Sequence, residues 1–413
     1  MKFYTWLFAF ATLVLVELPP ASGQSDDKTY ANTPEEMRPY NEFHDRYDLF
    51  FAEPQPFLGT GRGKAPPENL ASVRIGVLAP LGDSREAVFG RRMLNGAILA
   101  IEEANTSGGY RGLPFELIVR DDVGPWGAAS NKLVELNDEK VWAVLGSIDG
   151  QSTHIALRVA LKAELMMVTT GSTDPTLTET RIPWLVRVNA DDRQNSYALA
   201  THIFQEKGHR RVAVLRVNNR YGRVGIGEFR DAARRLSRPL LFELRFAPGD
   251  TSFTAQLERI KKSPADAIVL WTDAEEGGRI VKAMRAMDMQ HPVYGSDRLV
   301  SDVFLETAGP AADGVIATYP FNPLREHADL RSFIERYRSR FREEPDWYSA
   351  HAFDGMNMII DGIRKAGLNR VRIRDVLSEH TSYHGVTGEI PLDPTLNDVG
   401  PVWLVEVSDG EFR

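Results

Sequence analysis

The chain has 413 residues, a length that fits about two or three domains. Its 43% hydrophobic and 26% charged residues suit a soluble globular protein. A formal net charge of −8 argues against nucleic acid or an anionic membrane as the main partner, because both require a basic face. The absence of cysteine excludes thiol catalysis, cysteine metal sites and a lipid-modified N-terminal cysteine; a core of this size needs no disulfides.

The first residues read as a signal peptide. Lys2 supplies the positive start, 3–16 is an apolar run, and Ala21-Ser22-Gly23 offers small residues for cleavage. The run is shorter than the roughly 20 residues that span a bilayer, so the mature chain is expected outside the cytoplasm, in the periplasm of a Gram-negative source, with a short membrane anchor as the alternative. Residues 24–71 read as an arm rich in proline and aromatic side chains, too aromatic for pure disorder and expected to pack on the folded body or, as the alternative, on a partner. Within it, Gly59-Thr60-Gly61-Arg62-Gly63-Lys64 resembles a phosphate loop but lacks the spacing and a preceding strand, which predicts a flexible turn.

From 73 onward, short apolar runs alternate with helical patterns. Strands are predicted over 73–79, 115–120, 143–146 and 165–169, with helices over 89–104 and 153–163. A second series begins near 192. It comprises helices over 193–207, 222–236, 252–262 and 275–287, each leading to a strand, over 211–217, 240–246, 266–271 and 292–295. Two long helices near 327–342 and 347–366 and a strand over 400–407 complete the chain. Apolar strands alternating with helices predict parallel sheets covered on both faces, and two series predict two α/β lobes. Ligands of such sheets sit beyond the carboxyl ends of the strands.

The chemistry-bearing motifs are few. There is no G-x-G-x-x-G after the first strand and no G-x-S-x-G elbow. His380 and His384, beside Glu379, stand at helical spacing for a metal pair, but 378–385 reads as the frayed end of a helix, which favours a solvated role and no metal. In Asp121-Asp122 and Asp191-Asp192, one residue of each pair is expected to cap a helix or brace a turn. What remains are two post-strand loops rich in small donors, 147–153 with Asp149, Gly150, Ser152 and Thr153, and 170–175 with Ser172 and Thr173. Each leads into a helix, where amides and hydroxyls either cradle an anion or simply cap. The second series presents Tyr221, Trp271, Asp273 and Asp297 at its strand ends, an acidic and aromatic surface suited to a cation.

In order and spacing, VRIGVLAPLG (73–82), LNGAILAIEEANTSGGYRG (94–112), VLGSIDGQST (144–153), GSTDPTLTE (171–179), RVNADDRQ (187–194), NNRYGRVG (218–225), FAPGDTSF (246–253), GSDRLVS (295–301) and GVTGEI (385–390) resemble the type I periplasmic solute-binding proteins of the leucine/isoleucine/valine group, receptors of ABC importers. The resemblance implies two Rossmann-like lobes joined by a three-strand hinge, with crossings near 190, 319 and 389. Lobe one would take 72–190 and 320–388, and lobe two 191–319 and 389–413. It implies a non-enzymatic protein without cofactor that traps a small amino acid, amide or other polar solute and presents it to permease subunits. The alternative is a receptor that signals through a membrane partner. The family's carboxylate-binding serine falls on Gly150, a departure, with Asp149 before it and Ser152 and Thr153 nearby. The next donor pair falls on Ser172 and Thr173, the tyrosine before glycine on Tyr221, and the acidic partner of the ligand ammonium on Asp297. An aromatic contact falls near Asp273 and is lost, with Trp271 as its candidate replacement.

Overall fold

The computed structural model describes residues 59–413; the leader and the aromatic part of the arm lie outside the described residues. The first lobe is a five-stranded, all-parallel sheet in the order β2-β1-β3-β4-β5. Its strands are β1 (Val73–Ala79), β2 (Phe115–Asp121), β3 (Ala143–Gly146), β4 (Met166–Thr169) and β5 (Leu185–Arg187). Between them run α1 (Ala87–Thr106), α2 (Ala128–Asp138), α3 (Gly150–Ala163) and the single turn α4 (Thr176–Glu179). Strands β1, β3 and β4 are almost wholly buried, as continuous apolar runs covered by helices on both faces must be.

The second lobe repeats the plan. β6 (Val212–Val217), β7 (Phe242–Phe246), β8 (Ala267–Trp271), β9 (Val293–Gly295) and β10 (Ile316–Tyr319) form a parallel core in the order β7-β6-β8-β9-β10. The intervening helices are α5 (Asp192–Thr201), α6 (Arg220–Arg235), α7 (Thr254–Lys261), α8 (Ala274–Ala286) and α9 (Asp302–Ala308). The expected helix over 193–207 is real but not uniform: its last turn, His202–Glu206, is π-helical.

After β10 the chain returns to the first lobe. It forms α10 (Ala328–Phe341), α11 (Trp347–Ala366), α12 (Arg370–Ser378) and a hairpin, β11 (Ser382–Gly385) with β12 (Gly388–Pro391). α11 lies so close to α1 that a Cβ at Gly96 would stand 2.1 Å from the Ser349 carbonyl oxygen. The chain then passes back, and β13 (Trp403–Ser408) and β14 (Glu411–Phe412) add antiparallel strands beyond β10.

Thus three passages join the sheets, and they are braced together. Arg187, wholly buried at the end of β5, donates from Nε to Asn397 Oδ1 (2.7 Å) and from Nη2 to Asp191 Oδ2 (2.9 Å). Its backbone pairs with the 396–398 segment of the last passage through Arg187 N to Leu396 O and Asp398 N to Arg187 O. A buried guanidinium is tolerable only with such a full set of partners.

Two local expectations are corrected. The 59–64 segment is not a free turn: it is a 3₁₀ turn held by Asn369, whose Nδ2 donates to the carbonyls of Gly61 and Lys64 at 3.0 and 3.1 Å. Residues 378–385 are not a frayed helix end, because the helix stops at Ser378 and His384 belongs to β11. The hairpin turn is fixed by Asp354 of α11, whose carboxylate accepts from Val386 N (2.8 Å) and Thr387 N (2.9 Å).

Candidate functional site

In each sheet the strand order reverses beside the first strand of its series, between β1 and β3 and between β6 and β8. Loops leaving such neighbours run to opposite faces and open a crevice at their carboxyl ends. The two crevices face one another. Between them lies a small, tightly closed cavity, lined by Ile148, Gly150, Thr173, Asp174 and Asp192 on one side and by Arg220, Tyr221 and Arg298 on the other. A groove lined by Asp83, Ser84, Arg85, Glu86, Pro248, Asp273 and Glu275 opens beside it between the lobes.

On the first lobe, the loop after β3 is shaped by capping. Asp149 is the N-cap of α3, its carboxylate accepting from Ser152 N at 2.8 Å, and the Thr153 hydroxyl donates to Asp149 O at 2.8 Å. Both side chains are therefore engaged within the helix start. Gly150 is needed for close approach: a Cβ there would lie 2.8 Å from that of Asp174. After β4, Ser172 and Thr173 are buried, and the Ser172 hydroxyl has no protein partner. The Thr173 carbonyl accepts from Asp192 N at 2.7 Å, which ties this loop to the first passage between lobes.

The aspartate pairs divide their labour. Asp191 caps α5 in a capping box with Gln194. Asp192 turns into the cavity, almost wholly buried, with Oδ1 unpartnered. Burial, and then the Asp297 carboxylate facing it, hold Asp192 well above the ordinary aspartate range. Asp121 accepts from Leu81 N (2.9 Å) and Val123 N (3.1 Å), bracing the loop after β1. Asp122 takes the Ser147 hydroxyl.

On the second lobe, the Tyr221 hydroxyl donates to Ser296 Oγ (2.6 Å) and lies 3.3 Å from Asp297 Oδ1. Asp297 Oδ2 is buried without a partner, and burial pushes this carboxyl up to about 6 against the pull of Arg298. Trp271 stands behind Tyr221, with ring centroids 6.1 Å apart. It is fully buried against α6, where a Cβ at Gly225 would lie 2.1 Å from its indole nitrogen. Asp273 precedes α8 without capping it and accepts from Arg298 instead (2.7 Å).

Arg298, absent from the sequence-based set, organises the centre. Its Cζ lies 3.9 Å from the Tyr221 ring centroid, a stacked cation–π contact, and its Nη1 donates at 2.7 Å both to Asp273 and to Glu86 of the first lobe. Burial drives Glu86 up to about 7, because the nearby Asp149 and Asp273 charges add to desolvation and offset Arg298. Other pairs also bridge the lobes. Arg220 Nε meets Asp174 Oδ2 at 2.5 Å, Arg92 meets Asp302 at 3.3 Å, Arg85 meets Glu276, and Arg193 meets Glu179. Burial alone would raise Asp174, but Arg220 and Thr176 outweigh it and leave this carboxyl below its ordinary value.

Tyr348, at the start of α11, was also not anticipated. Its ring stacks on Phe89 (4.7 Å), its hydroxyl is buried without a partner, and burial, the Arg298 charge and the Asp297 carboxylate all act on its ionisation. Arg298 carried a weak sequence signal, its place beside Asp297 after a strand. Tyr348 and Glu86 carried none, because both reach the cleft from helix starts.

The family model described as periplasmic binding protein matches residues 72–411. The chain belongs to the periplasmic binding protein family. It is a type I solute-binding protein of the Leu/Ile/Val-binding group of ABC transporters. An amino acid binding protein of Pseudomonas aeruginosa is 28% identical over 306 residues, 73% of this chain and 80% of the relative. Leu/Ile/Val-binding protein homolog 2 of Brucella abortus is 24% identical, covering 79% of this chain and 87% of the relative. Among solved structures, the branched-chain amino acid transporter substrate binding protein LivJ from Streptococcus pneumoniae, in complex with isoleucine, superposes with a TM-score of 0.77 at 25% identity, covering 83% of this chain and 98% of that one. A solute binding protein from R. palustris in complex with benzoate has the same fold, with a TM-score of 0.75 at 17% identity over 83% of this chain and 95% of that one.

This binding protein is therefore periplasmic and non-catalytic. It captures a small polar ligand by closure of its lobes and works with the permease subunits of an importer, with no nucleic acid involved.

Proposed function

We propose that the cavity holds a small amino-acid-like or amide-like solute whose nitrogen faces Asp192 and Asp297. The observation that carries this is a set of buried, unpartnered polar atoms at and beside the cavity: Asp192 Oδ1 on its wall, and Ser172 Oγ, Asp297 Oδ2 and Tyr348 Oη on residues next to its lining. Buried polar atoms of a native protein find partners, and two carboxylate oxygens call for a donor, best an ammonium. On this reading Gly150, Ser152 and Thr153, at the amide end of α3, and Ser172 and Thr173 receive the opposite, acceptor end of the solute. Tyr221 and Asp297 close from the other lobe. Asp149 supports the first wall by capping α3, and Trp271 and Asp273 support the second by packing behind Tyr221 and holding Arg298. The isoleucine bound by the LivJ structure combines an ammonium and a carboxylate of this kind.

The lobes in this account comprise 72–190 with 320–388 and 191–319 with 389–413, and the leader is cleaved near Gly23. Isothermal titration against amino acids, amides, polyamines and aromatic acids tests the ligand class. A saturable response confined to compounds bearing a donor nitrogen is expected. A response to carboxylic acids without one, and to nothing else, would reject it.

A further inference from the structure

Away from the cleft, three metal-ligating side chains converge on the first lobe. His327 precedes α10, Asp329 lies in its first turn, and His384 comes from β11. His327 Nδ1 and Asp329 Oδ2 are 3.6 Å apart, His384 Nε2 and the same oxygen are 4.0 Å apart, and all three ligand atoms fall within 4.8 Å of one another. Zinc–nitrogen and zinc–oxygen bonds of about 2.0–2.2 Å at tetrahedral angles space neighbouring ligands by roughly 3.3–3.6 Å. Two of the three edges are thus near their bound length, and the exposed Asp329 and His384 can move onto an ion held at the half-buried His327.

A second observation concerns the far side of His384. Its other ring nitrogen, Nδ1, lies 3.3 Å from Glu389 Oε2 on the facing strand, and Glu389 is itself held by the Ser382 hydroxyl. A carboxylate behind a histidine takes the ring N–H and leaves the opposite nitrogen as a lone pair, the tautomer that a metal requires. Here that lone pair points toward Asp329. His327 Nδ1 has no hydrogen-bond partner in the protein. The neighbouring cation, Arg325, is turned away to the Val386 carbonyl at 2.9 Å.

We propose that His327, Asp329 and His384 form a site for a divalent transition metal of the zinc type, with water completing the shell and Glu389 positioning His384. The helical pair of His380 and His384 is not the ligand set, since the chain turns into β11 between them and His380 packs edge-on to Tyr383, ring centroids 5.9 Å apart. The site spans two stretches far apart in sequence, the segment that has just arrived from β10 and the hairpin that leads to β13. A bound ion would cross-link them beside two of the three passages between lobes.

The test is titration of Zn²⁺ into the chelator-treated, tag-free full chain by calorimetry, with the metal-dependent rise in melting temperature as a second readout. One equivalent is expected to bind, and His327→Ala and His384→Ala are each expected to lower affinity at least tenfold. Glu389→Gln should lower it about tenfold, the usual effect of losing such a support. His380→Ala should bind like wild type. Because the side chains lie at the surface, the metal-free variants should melt with the parent protein, which separates lost binding from lost folding. No saturable Zn²⁺ binding, or binding undiminished in the His327→Ala/His384→Ala double variant, would overturn the site.

Discussion

At the scale of single residues, the cleft holds two carboxylates that face each other at a cost. Asp297 is buried with one oxygen unpartnered and pushed up to about 6, and Asp192 is raised by the same burial and by Asp297 itself. Such groups do not stabilise the ligand-free protein; they are retained for what they bind. Asp297→Asn is therefore expected to weaken an ammonium-bearing ligand by about 1.5–3 kcal/mol, tenfold or more, through loss of a charged hydrogen bond. The melting temperature of the ligand-free protein should stay level or rise. Calorimetry and thermal melting on one preparation check both, and lost stability with unchanged affinity would remove Asp297 from the binding wall. Ser172, Thr173, Tyr221 and Asp297 were legible in the sequence because they follow apolar strands directly, where an open α/β sheet must present its loops. Glu86, Arg298 and Tyr348 were not, because their meeting depends on how the lobes and α11 come together. Asp149 and Thr153 carry two functions in one residue type, and only the structure shows them capping α3.

At the scale of elements, β1–β4 and β6–β9 were readable to within about two residues as short apolar runs, whereas β5, β10, the β11–β12 hairpin strands and β14, each of two to four residues, were missed and β13 begins three residues later than expected. α2 was also missed, because AASNKLVELND buries only Ala129, Leu133 and Leu136 and opens on Gly127 in a left-handed conformation with no side-chain cap. The β11–β12 hairpin was misread for a different reason: its turn is specified by Asp354, some thirty residues earlier on α11. Helix packing makes a separate prediction. Gly96 faces Ser349 across the α1–α11 contact with no room for a methyl group. Gly96→Ala should destabilise the protein by about 1–3 kcal/mol, the ordinary cost of overpacking a tight core. Because the contact lies within one lobe, ligand affinity per folded molecule should be unchanged. Denaturant melts with titration of the folded fraction check this, and an affinity loss matching the stability loss would mean that α11 transmits strain to Tyr348.

At the scale of the molecule, the lobes meet through acids and arginines offered from both sides, with Glu86, Asp174 and Glu179 of the first lobe and Arg85 and Arg92 reaching in return. The desolvation that accompanies this contact fixes how stability depends on pH. Glu86 is raised to about 7 where Arg298 crosses the cleft, and Asp398, buried in the last passage, is raised to about 7 as well. A carboxyl raised on folding binds a proton more readily in the folded state than in the unfolded one. Its contribution is complete below the unfolded value and is lost as pH climbs through the folded value. Buried His351, lowered to about 4, has the opposite sense: it must stay neutral, so its contribution is lost as pH falls from about 6.5 toward 4. Two raised carboxyls outweigh one lowered histidine, so the ligand-free protein should already be losing stability at pH 6 and should lose on the order of 1–3 kcal/mol more by pH 8. Glu86→Gln keeps an acceptor for Arg298 but has nothing to titrate, so it should remove about half of that decline and leave the share of Asp398. Thermal melts of both proteins between pH 5 and 8 decide the matter. A wild-type melting temperature that rises from pH 6 to 8, or a Glu86→Gln variant with the full decline, would place the titrating group elsewhere than at the meeting of the two lobes.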